Sequence, residues 1–441
     1  MIKTSNTPLL SLLSVLLFLL IAETPVLAIS TSRVGMPIAT LIIATTLLFL
    51  PKAPLGDVQR SVAILRPLTA VTLFPAIWMA LQLVPVPLGT IEHPIWLSAA
   101  AALSEFHTGH ISIDLGSTLR ALVQYLAVVA LIFATCVLAR DRERAEQILF
   151  ALCAIADLIA LELLLFWYAG NFEWGAPNPG FPDNLSASTS LGAILNLAII
   201  ARAIERYETK AEHQAPWQTL VFPLVLGAAG ALLCLSATLV STTANVLIAS
   251  VFGCVTFLLF VLLRQYRLGR WTAVTVGFTV LIMCCGVIVL RSAANPSVLP
   301  LIRFAHASSA EAGGAMQRLL SDANWAGAGV GTYQALAATY RDTAGLPQPA
   351  AINTISSAIL GWGYLGACLL AAILTQLLVT LSRGAFNRGR DSFFAAAATA
   401  CLVTIICEAF CDASLTDATF QIFAAIVLGL GLAQTVGRQV K

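Results

Sequence analysis

Four arginines are the residues best suited to chemistry, because the charge pattern described below places them together on the outer side of a membrane. Guanidinium groups bind phosphate and pyrophosphate through paired hydrogen bonds. A lipid diphosphate headgroup is therefore the predicted ligand. The alternative is that these arginines are solvated or paired with nearby carboxylates, which are Glu311, Asp322 and Asp342. The four arginines are Arg291, Arg303, Arg318 and Arg341.

Histidines supply the candidate general base. Imidazole titrates near neutral pH and can remove a proton from an attacking hydroxyl group. His306 lies in the same segment as the arginines, and we take it as the candidate. His93, His107 and His110 lie on the same predicted side of the membrane. For each histidine, the alternative is an ordinary loop residue.

Three acidic residues fall inside strongly apolar segments: Asp157, Glu162 and Glu408. Ionisable groups at bilayer depth are costly and usually face a cavity or a partner. They indicate either a polar cavity or a proton path. The alternative is that they are hydrogen-bonded packing groups.

The segment that must position the arginines runs from residue 291 to residue 353. Residues 312–325 predict an amphipathic helix with Arg318 and Asp322 on its polar side. A glycine run at residues 327–331 then predicts a turn, and residues 332–341 predict a second short helix. No strand precedes this run and its spacing is not GxGxxG, so a nucleotide-binding loop is excluded.

The composition sets the class of protein. Of 441 residues, 59% are apolar and 10% charged, whereas soluble proteins carry about 25% charged residues. A water-soluble fold is therefore excluded. Continuous apolar runs predict an all-α polytopic membrane protein with about twelve spans. These spans are approximately residues 9–29, 34–51, 67–88, 118–139, 148–168, 186–203, 219–239, 244–263, 272–290, 354–382, 393–411 and 417–436.

The basic residues predict the orientation. Cytoplasmic loops are enriched in Lys and Arg, and eighteen of the 24 basic residues fall in alternate connections that include both termini. Both termini are thus predicted to be cytoplasmic, with spans at 1–290 and 354–441 and a large periplasmic loop at 291–353. The first span also resembles a cleavable signal peptide. The net charge of only +2 indicates no nucleic-acid partner.

Several short motifs resemble one family. These are the Trp–Leu-Gln–Pro-x-Pro segment at 78–87, the small-residue stretch at 184–192, the glycine-rich run at 324–333, and Asn353 followed after nine residues by Gly-x-x-Gly at 363–366. In order and spacing they are similar to those of the O-antigen ligase and O-antigen polymerase superfamily of bacterial membrane glycosyltransferases. The number of spans and the large loop between the ninth and tenth resemble that family too.

The chain departs from the family pattern at three places. The family carries histidine where this chain has Ile352, and Ser-Arg-Gly where residues 241–245 read Ser-Thr-Thr-Ala-Asn. An upstream loop arginine of the family falls near Ser309. Isoleucine cannot accept a proton, so His306 or Glu311 would have to serve as the base, or catalysis has been lost.

The resemblance implies transfer or polymerisation of a glycan from an undecaprenyl-diphosphate carrier at the periplasmic face of the bacterial inner membrane. The acceptor would be a lipid or glycan hydroxyl, with no nucleotide, metal or other cofactor. Arg318 with Arg303, Arg341 and Arg291 would bind the diphosphate, and Asn353 would orient donor or acceptor. A lipid-linked glycan flippase and a catalytically silent assembly subunit are the alternatives.

Overall fold

The computed structural model describes residues 8–29, 32–50, 55–87, 91–103, 108–171, 183–211, 217–241, 244–265, 310–339, 353–388 and 391–435. These residues are mostly helical, with a single β-bridge between Val86 and Gly109 among them. Helices satisfy every backbone hydrogen bond within one segment, which a lipid environment requires. The predicted all-α class is therefore confirmed for the described part of the chain.

Fourteen α-helices are described, and we number them in chain order. They are α1 (Pro8–Ile29), α2 (Ser32–Phe49), α3 (Leu55–Gln82), α4 (Pro94–Leu103), α5 (Leu115–Leu138), α6 (Arg142–Asn171), α7 (Asp183–Ala211), α8 (Gln218–Ser241), α9 (Ala244–Gln265), α10 (Ala310–Ser321), α11 (Tyr333–Thr339), α12 (Thr354–Asn387), α13 (Ser392–Glu408) and α14 (Ala418–Ala433).

Seven of these helices are long and apolar enough to cross a membrane, namely α3, α5, α6, α7, α8, α9 and α12. They identify a multi-pass membrane protein. The predicted spans at 9–29, 34–51, 393–411 and 417–436 coincide with α1, α2, α13 and α14, whose described apolar stretches are shorter. The predicted span at 272–290 lies outside the described residues, so the count of twelve remains a prediction.

The centre of the bundle is formed by α13, α14 and the first half of α7, where almost all side chains are buried. Around them, α7 packs against α6 and α8, α14 packs against α5, and α13 packs against α9 and α12. At the edge, α3 packs against α5 and α12. Large apolar side chains such as Phe222 and Leu232 of α8 point outward, as expected for a surface covered by lipid.

Two local features differ from the sequence prediction. The third span was expected to reach residue 88, but α3 ends at Gln82, because Pro85 and Pro87 remove backbone donors that a helix needs. The short helix α4 was not predicted at all. Its ten residues are too few for an apolar-run criterion of about 20 residues.

Candidate functional site

The glycine run is where the sequence motifs come together. Between α10 and α11, residues 326–331 lie directly against α12, and we call this contact the clamp. The backbone N–H of Ala328 donates to the carbonyl of Leu360 at 2.9 Å, and that of Gly329 donates to the carbonyl of Gly361 at 3.1 Å. The N–H of Ile113 donates to the carbonyl of Ala328 at 2.9 Å. The run is thus held by main-chain hydrogen bonds on both sides.

The helix α12 is broken at the point where the clamp touches it. Gly363 has φ 71° and ψ 176° inside an otherwise helical segment. This conformation is open essentially only to glycine. The break frees carbonyl groups near residue 361 from the helix, and the glycine run and α3 supply their partners.

Two residues of α3 fasten the clamp from the other side. The side-chain amide of Gln82 donates to the carbonyls of Ala326 and Gly361, at 3.0 and 3.1 Å. The indole N–H of Trp78 donates to the carbonyl of Trp362 at 2.9 Å. Trp78 and Gln82 are four residues apart, so they share one helix face. Both residues belong to the motif at 78–87, which by itself indicates no partner for either.

Close packing explains why glycine occupies the centre of the run. Gly329 has φ 103°, and a Cβ added there would overlap the hydroxyl groups of Ser112 and Thr118. Those two hydroxyls are hydrogen-bonded to each other at 2.7 Å. The predicted turn between two helices is therefore confirmed, and its glycines serve close backbone packing.

We expect Gln82→Leu to loosen the clamp, because two carbonyl groups lose a donor at a site where Gln82 is completely buried. The cost should be about 1–3 kcal/mol. Amide hydrogen exchange at residues 326–331 in detergent micelles should become faster. Gln317→Leu, at an exposed position of α10, is the matched control. Unchanged exchange in Gln82→Leu would contradict the assigned role.

The amphipathic helix predicted at 312–325 is confirmed as α10, but it runs from Ala310 to Ser321, so Asp322 lies beyond its end. Met316, Leu319 and Leu320 are buried against Ile359 and Leu360 of α12. Arg318 lies on the exposed side in the last turn, where a cation interacts favourably with the helix dipole. The diphosphate candidate is therefore carried by a helix that is packed onto the clamp region.

Asn353 is buried at the first turn of α12. Its side-chain oxygen accepts from the N–H of Ser356 at 2.9 Å, which makes it the N-cap, and its amide nitrogen donates to the carbonyl of Phe410 at 3.0 Å. Thr354 also donates to the carbonyl of Asp412. These contacts join the start of α12 to the turn after α13. They favour a positioning role for Asn353, and its role toward substrate remains a prediction.

The other site candidates lie outside the described residues. Arg291, Arg303, Arg341 and His306 are in this group, as is Ile352. The structure places Arg318 on α10, which packs against α12, and Asn353 at the start of α12. All diphosphate and base assignments stay predictions.

Two of the three acidic residues in apolar segments, the half-buried Asp157 and the buried Glu408, accept hydrogen bonds within the bundle, while the Oε2 atom of Glu408 is buried with no hydrogen-bond partner among the described residues. The carboxylate of Asp157 accepts from Asn196 at 2.8 Å and from the Cys234 thiol at 3.3 Å. The carboxyl of Glu408 accepts from the hydroxyl of Ser190. Ser190 belongs to the buried polar opening of α7, where Ser186, Ser188 and Thr189 are at most 2% exposed. These contacts agree with hydrogen-bonded packing groups.

In the connection between α3 and α5, outside the membrane spans, Asp114 and His93 have lowered pKa values. Asp114 is the N-cap of α5, and hydrogen bonds from the hydroxyl and N–H of Ser117 lower the pKa of its carboxyl. Burial lowers the pKa of His93, whose Nδ1 accepts from the N–H of Ile95 at 3.3 Å. A low pKa keeps the His93 ring neutral, and Nδ1 can accept the hydrogen bond from Ile95 only when it carries no proton.

No protein-family model and no curated protein sequence matches this chain.

Proposed function

We propose that this protein transfers or polymerises a glycan carried on undecaprenyl diphosphate, at the periplasmic face of the inner membrane, in surface-polysaccharide assembly. The observation that carries the proposal is the clamp. The motif at 78–87, the run at 324–333 and the Gly-x-x-Gly at 363–366 are far apart in sequence, yet they meet at the clamp. The first motif is hydrogen-bonded to the run and to residues 361 and 362, directly before the Gly-x-x-Gly, and the N–H of Leu365 within the Gly-x-x-Gly donates to the carbonyl of Trp325 in the run.

Arg318 is the described residue that the proposal uses for chemistry. Neutralising a diphosphate leaving group lowers the barrier to its departure. Arg318 is an exposed residue of α10, the helix that packs beside the clamp. Asn353 fixes the start of α12, and the clamp fixes its break. Both therefore hold the surface on which donor and acceptor would meet in a defined orientation.

Arg318→Ala should reduce glycan transfer about 100-fold, since one preorganised group that stabilises developing charge contributes that much. The measurement uses purified protein in vesicles with a polyprenyl-diphosphate oligosaccharide and a lipid acceptor, followed by gel analysis of the acceptor. Arg120→Ala, at an exposed arginine near the start of α5, should leave transfer unchanged. Ile352→His, which restores the residue of the resembled family, should increase it.

Absence of transfer by the unaltered protein, with donor and acceptor both present, would contradict the proposal. Movement of the donor across the same vesicles would then favour the flippase alternative, whose support is the presence of Asp157, Glu162 and Glu408 in apolar segments. If neither reaction occurred, the silent assembly subunit would be favoured, as Ile352 suggests.

A further inference from the structure

The helix α4 has an unusual combination of composition and exposure. Its ten residues, Pro94–Leu103, include no charged side chain, and none of them is buried in the protein. Ile95, Leu97 and Leu103 are 37%, 46% and 62% exposed. A helix that is apolar on every side is normally covered, either by a protein core or by lipid. Here the protein does not cover it.

The length of α4 excludes a membrane crossing. Ten helical residues rise about 15 Å, which is half of the hydrocarbon thickness of about 30 Å. The helix also connects the end of α3 to the start of α5, both of which are spans. It therefore lies at the level where two membrane helices reach one surface of the bilayer.

The exposed apolar surface of these spans continues onto α4. Leu81 and Val84 at the end of α3 are 47% and 45% exposed, and Leu119 in the first turns of α5 is 53% exposed. Side chains of this kind at the end of a span face the acyl chains. The exposed side chains of α4, which lies between α3 and α5 in the chain, are also apolar. They are therefore expected to contact acyl chains as well.

One side of α4 is fastened to the protein by polar contacts. The indole N–H of Trp96 donates to the carbonyl of Ser112 at 3.1 Å, and the Trp96 ring meets the ring of His110 edge-on at 5.5 Å. The N–H of His93 donates to the carbonyl of His110 at 2.9 Å. Tryptophan with an apolar body and a hydrogen-bonded N–H is typical of the lipid–water interface.

We propose that α4 is a membrane-surface helix whose partner is the bilayer itself, with Ile95, Leu97 and Leu103 in contact with acyl chains. This proposal is independent of the glycan chemistry. It has a structural consequence for the clamp, because Ser112 contacts both Trp96 and the Gly329 position. Lipid contact at α4 thereby sets the depth of the clamp relative to the membrane surface.

Photocrosslinking in the full chain tests this proposal. p-Benzoylphenylalanine replaces Leu97, or in a second variant Leu103, and the protein is irradiated in vesicles of phosphatidylethanolamine and phosphatidylglycerol. Mass spectrometry should find lipid adducts at both positions, attached to the upper half of the acyl chains. Leu232, at mid-height of α8 and 69% exposed, is the positive control and should give adducts deeper in the chain.

Gln317, an exposed position on the polar side of α10, is the negative control and should give no lipid adduct. The proposal is overturned if positions 97 and 103 behave like position 317. It is also overturned if they crosslink to another protein chain instead of lipid, because α4 would then be a protein-docking surface.

Discussion

Gly363→Ala should be among the most damaging single substitutions in this protein. An added Cβ would overlap the carbonyl oxygen of Trp325 and the backbone nitrogen of Gly327, and alanine would be forced into a backbone conformation with φ 71° and ψ 176°. Backbone strain of 1–3 kcal/mol and overpacking of 1–3 kcal/mol together give a loss of about 2–6 kcal/mol. Denaturant unfolding in micelles measures the loss.

The same substitution should abolish glycan transfer if the clamp supports the site. The control is Gly314→Ala on α10, because Gly314 is exposed and an added Cβ there meets no atom within 4 Å. It should be neutral or stabilising by up to about 1 kcal/mol, as expected for alanine in a helix. Native stability in Gly363→Ala, with unaltered hydrogen exchange at residues 326–331, would show that the clamp does not require the break.

Glu146→Gln should destabilise the opposite, predicted cytoplasmic, end of the bundle by about 3–5 kcal/mol. The carboxylate of Glu146 pairs with Arg142 at 3.1 Å, with Arg202 at 2.5 Å, and with Arg206. The Glu146 and Arg202 side chains are only 8% and 10% exposed. Removing the carboxylate charge leaves the Arg202 guanidinium buried without its counter-ion, although it still lies 4.8 Å over the Phe150 ring.

Glu143→Gln tests whether this loss is specific. Glu143 lies in the same turn of α6 but is exposed, so its substitution should change the free energy of unfolding by less than about 0.5 kcal/mol. Equal unfolding free energies for the two variants would mean that solvent, and not Glu146, balances the charge of Arg202.

The sequence predicted the local structure well wherever one segment decides it. Apolar runs located the described membrane helices, and a periodicity of three to four residues identified the buried face of α10 from Met316, Leu319 and Leu320. Both signals depend on neighbours along the chain. The helix α4 was not predicted, because its ten residues are too few for a span and lack the polar face of an amphipathic helix.

The candidate site was predictable only in part. Residue type and resemblance pointed to Arg318 and Asn353 as candidates. Arg318 lies on α10, which packs against α12, and Asn353 caps the start of α12. Gln82 lies within a motif, but its partners, the carbonyls of Ala326 and Gly361, are 244 and 279 residues away. Main-chain carbonyls are the same in every residue type, so no sequence pattern could have indicated them.

By itself, the sequence determined that the protein is all-helical and membrane-embedded, and it showed basic residues in alternate connections between apolar runs. Both depend on the free energy of transferring side chains between water and lipid. Tertiary structure decided that α12 breaks at Gly363 and that the glycine run packs against this break. It also decided that Trp78 and Gln82 donate hydrogen bonds to the carbonyls of Trp362 and Ala326 there. It also decided that Arg202 and Glu146 are buried as partners. The physical reason is that hydrogen bonds and ion pairs between distant segments depend on which helices pack together.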